Sequence, residues 1–179
     1  MTFEDVINFW FDEIEPAQHW KKDLAFDQLI TQRFGELHRQ ATLCELFEWR
    51  DSAHGRLAEI IVLDQFSRNM YRDTPLSFAY DAQALVLAQE AVALKVDEAL
   101  SATERTFLYM PYMHSESLKV HEVAVGLFTK NGIQNNLDFE IKHKVIIERF
   151  GRYPHRNAIL GRESTEEEIA FLNEPDSSF

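Results

Sequence analysis

Three short stretches collect most of the side chains able to hold charge or move protons. Asp64, Gln65, Arg68 and Asn69 lie within six consecutive residues, and helical spacing lets Asp64 and Arg68 pair on one face. His114, Ser115 and Glu116 follow Met110-Pro111-Tyr112-Met113, placing an imidazole, a hydroxyl and a carboxylate side by side. Such an imidazole is a candidate general base, oriented by Glu116 or Asp64. The third stretch, Lys142 to Arg162, carries six Lys or Arg plus His143 and His155 against one acid, Glu148, for a local charge of +5. The whole chain carries −12, so the remainder carries −17. Arginine offers a planar fork of N–H donors matched to carboxylate or phosphate. Arg149, Arg152 and Arg156 beside two histidines are therefore candidates for holding a small anionic molecule.

Each stretch also has a purely structural reading. A basic segment in an acidic protein can meet its own carboxylates, Glu59 or Asp64 among them. Asp64 to Asn69 can tie a helix corner, because buried polar groups are normally satisfied by such networks. Ser115 can cap a helix and Glu116 suits the positive end of its dipole.

Other chemistry finds little support. His114 and His121 are seven residues apart, about 10.5 Å along a helix at the standard rise, too far to share one ion, and no H-E-x-x-H pattern is present. No metal and no cofactor are expected. There is no G-x-S-x-G elbow, no glycine-rich phosphate loop and no dinucleotide fingerprint. The acidic net charge repels phosphate chains, so no nucleic acid is expected. The single cysteine, Cys44, makes no internal disulfide, the opening residues lack a basic region ahead of an apolar one, and no apolar run approaches the roughly 20 residues that span a bilayer. A cytoplasmic protein with no membrane partner is the expectation.

The elements that must position these residues read as helices. With 179 residues, 45% of them hydrophobic, but only six Gly and five Pro, a many-stranded fold with glycine- and proline-rich turns is disfavoured. One helical domain over residues 1–179 is expected, because apolar periodicity resumes after every break. A first helix runs from Thr2 to near Phe11. Phe26, Leu29, Ile30, Phe34, Leu37 and Ala41 line the core face of a second, roughly Lys22 to Ala41. A third covers Arg56 to Met70 and a fourth Leu76 to Leu94, with Phe78 on its buried stripe. Ser101 with Glu104 has capping-box spacing and opens a helix that must kink or stop before Pro111. The next runs from near His114 to Lys130 and halts at Asn131-Gly132. Leu137 to Phe150 stops at Gly151, and Thr165 with Glu168 opens a last short helix to about Asn173. Trp10, Phe11, Trp20, Trp49 and the 14 Phe read as core anchors. Seven or eight helices in antiparallel pairs make an all-α compact bundle or a short superhelix.

One internal echo stands out. Leu63-Asp64-Gln65-Phe66-Ser67-Arg68 aligns with Ile147-Glu148-Arg149-Phe150-Gly151-Arg152, and the register places Arg72 on Arg156. It is either chance or two units that turn matching arginines to a common space.

Taken together, Phe9-Trp10-Phe11, Leu63 to Asn69, Phe107 to Glu116, Arg149 to Asn157 and Leu160-Gly161-Arg162 with Ser164-Thr165 resemble the bacterial domain-of-unknown-function family 924 over essentially the whole chain. The resemblance implies an all-helical fold related to tetratricopeptide-like right-handed superhelices, and no established activity. Its polar motif positions map onto Asp64, Gln65, Arg68, Asn69, His114, Ser115, Glu116, Arg152, His155, Arg156 and Asn157. The family's usual proline after Asp-Gln-Phe is Ser67 here, and a glutamine expected shortly after His-Ser-Glu is replaced by His121.

These readings converge on two expectations. In the first, the three polar motifs share one cleft in which Arg68, Arg152 and Arg156, with Asp64, Gln65, Asn69, Ser115 and Asn157, bind a small anionic molecule, and His114, Glu116 and His155 are acid–base candidates. In the second, the chain is a tetratricopeptide-like scaffold for a protein partner.

Overall fold

Capping chemistry starts most helices close to where the sequence places them. A computed structural model describes residues 1–175, 177 and 178. Its helices are α1 (Phe3–Asn8), α2 (Leu24–Thr42), α3 (Ala53–Ile61), α4 (Ser67–Met70), α5 (Asp81–Ala93), α6 (Ala102–Met113), α7 (Leu118–Asn131), α8 (Gln134–Phe150) and α9 (Glu166–Phe171). No strand occurs among the described residues, and the fold is all-α. At α6 the Ser101 hydroxyl accepts the Glu104 N–H while the Glu104 carboxylate accepts the Ser101 N–H at 2.7 Å. Thr165 and Glu168 repeat this box at α9. Gly132 and Gly151 end α7 and α8 with φ of +80° and +68°, the left-handed stop that glycine takes without steric cost.

Four expectations are corrected. The fourth helix begins at Asp81 and not Leu76, because Pro75–Ser77 form a 3-10 turn; Phe78 therefore leaves the helical stripe and is only half-buried. α6 runs through Pro111 to Met113, since a proline this near the end removes one N–H bond while the flanking turns hold. α7 starts at Leu118, leaving 114–117 as a connection. Leu29, Trp20, Phe47 and Phe139 are exposed rather than core, and Phe179 lies outside the described residues.

Two π-helical turns, Phe9–Glu13 and Val62–Phe66, carry an extra residue that apolar periodicity does not register. The second joins α3 to α4 in one rod, and such turns re-aim side chains at functional sites. That rod is the centre of the molecule. α3 packs against α1, α5 and α6, α2 lies on the π turn and α4, and α6, α7 and α8 pack in series. Ile60, Ile61, Leu63 and Phe66 are fully buried, and Phe34 meets Phe9 at 4.8 Å and Phe66 at 4.9 Å between ring centroids. A smaller cluster of Ile146, Ile147, Tyr153 and Phe171 clamps the C-terminal segment to α8. Gly55 admits no side chain: a Cβ there would lie 2.0 Å from the Trp49 carbonyl oxygen.

Candidate functional site

The π turn sets Asp64 and Gln65 beneath one end of a cleft of about 820 Å³. Gln65, Arg68, Asn69, His114, His155 and Arg156 all line it, joined by Arg72, Phe78, Tyr153 and, at the rim, Trp20, Lys21 and Lys22. Of the arginines matched by the internal echo, Arg72 and Arg156 both line this cleft, whereas Arg68 lines it and its counterpart Arg152 does not. Asp64 is fully buried and acts from below. Its Oδ1 accepts His114 Nδ1–H at 2.7 Å and its Oδ2 accepts Gln65 Nε2–H at 2.6 Å. Arg68 lies 3.1 Å from Asp64 and makes two bonds to Asp81 at 2.8 and 3.0 Å. Burial pushes the Asp64 carboxyl up, but Arg68 and His114 reverse this and hold it ionised below the usual carboxylate range.

Arg156 approaches from the turn after α8. It is 7% exposed, and its guanidinium lies 4.5 Å from the Phe78 ring centre and 4.6 Å from that of Tyr153. Nη1 reaches Asp81 at 3.3 Å and Nη2 donates to the His114 carbonyl at 3.0 Å, while Nε has no partner among the described residues. Two guanidiniums therefore share Asp81, and Arg68 holds it more closely. Burial, then Arg68, push the Arg156 pKa below its ordinary value despite Asp81. His155 is pushed down to about 4, chiefly by burial, and its Nδ1 also lacks a partner among the described residues.

The other predicted residues lie in an adjoining corner, outside the cleft lining. Arg152 grips Glu168 at 2.6 and 2.8 Å and the Glu163 carbonyl at 2.8 Å. It holds the Glu168 carboxyl down to about 2. Asn157 donates to Ser164 and Glu168 and accepts from Arg162. Arg162 forks onto Glu116 at 2.7 and 2.9 Å, and Glu116 also accepts the Tyr153 N–H at 2.8 Å. Ser115 Oγ accepts the Ser117 N–H. Glu59, a possible partner of the basic segment, is taken by Arg50. Asn69, although in the cleft lining, spends its amide on Asp27, which also holds Arg72.

Family comparison agrees with this architecture. The bacterial protein family of unknown function DUF924 matches residues 6–176. The chain belongs to this family. A solved structure of a protein of unknown function from Agrobacterium tumefaciens is 38% identical, covers 96% of each chain and superposes with a TM-score of 0.91. No curated protein matches. The two departures of this DUF924 member from the expected pattern have structural partners. Ser67 donates to the Leu63 carbonyl at 2.6 Å and pairs with His38 Nε2 at 2.8 Å. His121 is fully buried, outside the cleft lining, with Nε2 on the Ser115 carbonyl and Nδ1 2.7 Å from Glu140. Among the described residues no cluster of His, Cys, Asp or Glu is arranged to hold a metal, and no helix is long and apolar enough to cross a membrane.

Sequence reasoning missed Asp81, Phe78 and Arg162. Asp81 carries no signal within a helix expected from Leu76, and Phe78 reads as helical core. Arg162 shows its charge, but its partner Glu116 is 46 residues away.

Proposed function

We propose that the cleft binds a small anionic molecule, held by Arg156 with Arg68 beside it, in a cytosolic protein. One observation carries this reading: Arg156 is a buried guanidinium whose charge the protein leaves undercompensated. Its one carboxylate contact among the described residues is 3.3 Å long and shared, its Nε is unpaired among those residues, and its pKa is lowered. A buried charge in that state is stabilised by an added counter-charge, and an oxyanion presents the acceptors that the fork matches. Lys21, Lys22 and Arg72, the last paired with Asp27, line the cleft, where Asp73 is the one acid among the described lining residues, and the volume suits a small metabolite.

A thermal-shift screen of the wild type and Arg156→Gln against phosphates, nucleotides, carboxylates and divalent metals tests the reading. A ligand at about 100 times its Kd adds roughly 2.7 kcal/mol, which raises the midpoint of a chain this size by roughly 5–10 °C. The expected result is a shift with an anion that Arg156→Gln loses while folded. No shift with any anion, or a shift that survives the substitution, contradicts it.

A further inference from the structure

His114 is a group in the cleft whose protonation pattern the fold dictates atom by atom. It closes α6, with Nδ1 2.7 Å from Asp64 Oδ1. Asp64 is held ionised by Arg68 and His114 and also accepts the Gln65 amide, so its carboxylate only accepts and Nδ1 must carry the imidazole proton. The lone pair is left on Nε2. That atom has no hydrogen-bond partner among the described residues, and the side chain is 15% exposed in the cleft that it lines. Arg156 Nη2 lies 3.0 Å from the His114 carbonyl oxygen, and both side chains line the same cleft.

We propose that His114 is the proton acceptor of the cleft and that its substrate is a small hydroxylated oxyanion, whose charged end meets Arg156 and whose hydroxyl meets Nε2. The inference rests on the anion reading above. An anion-binding pocket needs no imidazole acceptor, and Nε2 adds a demand for a donor at a fixed distance from the negative group. In the step itself the O–H bond breaks, its electron pair stays on the oxygen and the proton moves to Nε2. Asp64 stabilises the resulting imidazolium, as a buried carboxylate does for a catalytic histidine. The charged and titratable groups around the ring are Asp64 from the π turn, Arg68 from α4, Asp81 from α5, His143 from α8, and His155 and Arg156 from the C-terminal turn. Burial and Arg68 outweigh Asp64 and keep the imidazole in its basic form at neutral pH.

Iodoacetate probes both halves at once. It is a carboxylate whose CH₂ is attacked by an unprotonated imidazole nitrogen: an N–C bond forms, the C–I bond breaks and iodide leaves with the electron pair. With the exposed Cys44 blocked beforehand, peptide mapping should find His114 carboxymethylated by iodoacetate about tenfold or more faster than it is alkylated by neutral iodoacetamide, the low end of electrostatic focusing in a charged cleft. Glycolate should protect His114 more than acetate at equal concentration. Nitrogen NMR of the wild type should show the Nδ1–H tautomer at pH 7. An Nε2–H tautomer, an imidazolium at pH 7, or a His114 untouched by both reagents would overturn the proton acceptor. Equal labelling by the two reagents would overturn the anion reading beneath it, and equal protection by glycolate and acetate would overturn the hydroxyl.

Discussion

Two clusters of the same residue types sit side by side in this molecule and end differently. In the corner around Arg152 and Arg162, both guanidiniums fork onto their own carboxylates, Glu168 and Glu116, and spare donors go to the Glu163 and Tyr153 carbonyls. In the cleft, Arg68 and Arg156 share Asp81, and among the described residues Arg156 Nε and His114 Nε2 have no partner. Arg152, Arg162 and Arg68 spend their donors on their own chain, whereas Arg156 is left short among the described residues, which is what the proposed anion site rests on. The distinction lies in the partners and not in residue type.

Acid should act in two pH windows, the first owed to buried histidines and the second to the depressed carboxylates of both clusters, Asp64 and Glu168. His38, His143 and His155 are held to about 4, 3 and 4, first of all by burial, against an ordinary 6.5. Their folded pKa values are depressed, so the unfolded chain takes up protons first and stability falls as pH drops from 6.5 toward 4. Each contributes up to roughly 1.4 kcal/mol per pH unit there. Glu168, held to about 2 against 4.5, loses its contribution only as pH falls from about 4.5 toward 2. Urea midpoints measured between pH 8 and pH 3 should therefore decline in two stages, the first owed to the histidines of the cleft and its surroundings. Constant stability from pH 7 to pH 5 would contradict the first window.

Substitution comes next in size. Arg162→Ala strands Glu116 and Asn157 and should cost about 2–3 kcal/mol, below the roughly 3–5 for a fully buried pair because the side chains of Arg162 and Glu116 remain 24% and 28% exposed. Ser67→Ala leaves His38 Nε2 unpaired in the core and should cost about 1–2 kcal/mol. Arg156→Gln should cost less than either, about 1 kcal/mol or below, because Arg68 keeps Asp81 paired and a partly uncompensated charge is removed. Equilibrium denaturation of the three variants checks the order. A cost for Arg156→Gln as large as that for Arg162→Ala would make Arg156 a structural tie as well.

The helices were largely legible from the sequence because capping boxes, glycine stops and apolar spacing are local signals, as at Ser101, Thr165 and Gly151. Of the polar candidates, Gln65, Arg68, Asn69, His114, His155 and Arg156 do come together on one cleft. Arg152 and Arg156, four residues apart, looked equivalent because charge and spacing say nothing about which carboxylate each will find. Asp81 answers Arg156 from 75 residues away, and Glu168 answers Arg152 only because α9 folds back over the turn. The π turn at Val62–Phe66 was equally hidden, since one inserted residue leaves an apolar run apolar while turning Asp64 toward His114.

The most direct test of the central claim compares three proteins with one anion: wild type, Arg156→Gln and Arg152→Gln, each titrated with the best anionic ligand from the screen and followed by its thermal midpoint. The wild type and the corner variant should shift by the same amount above their own baselines, with no shift in Arg156→Gln. Loss of the shift in Arg152→Gln with retention in Arg156→Gln would place the anion in the corner and contradict the account.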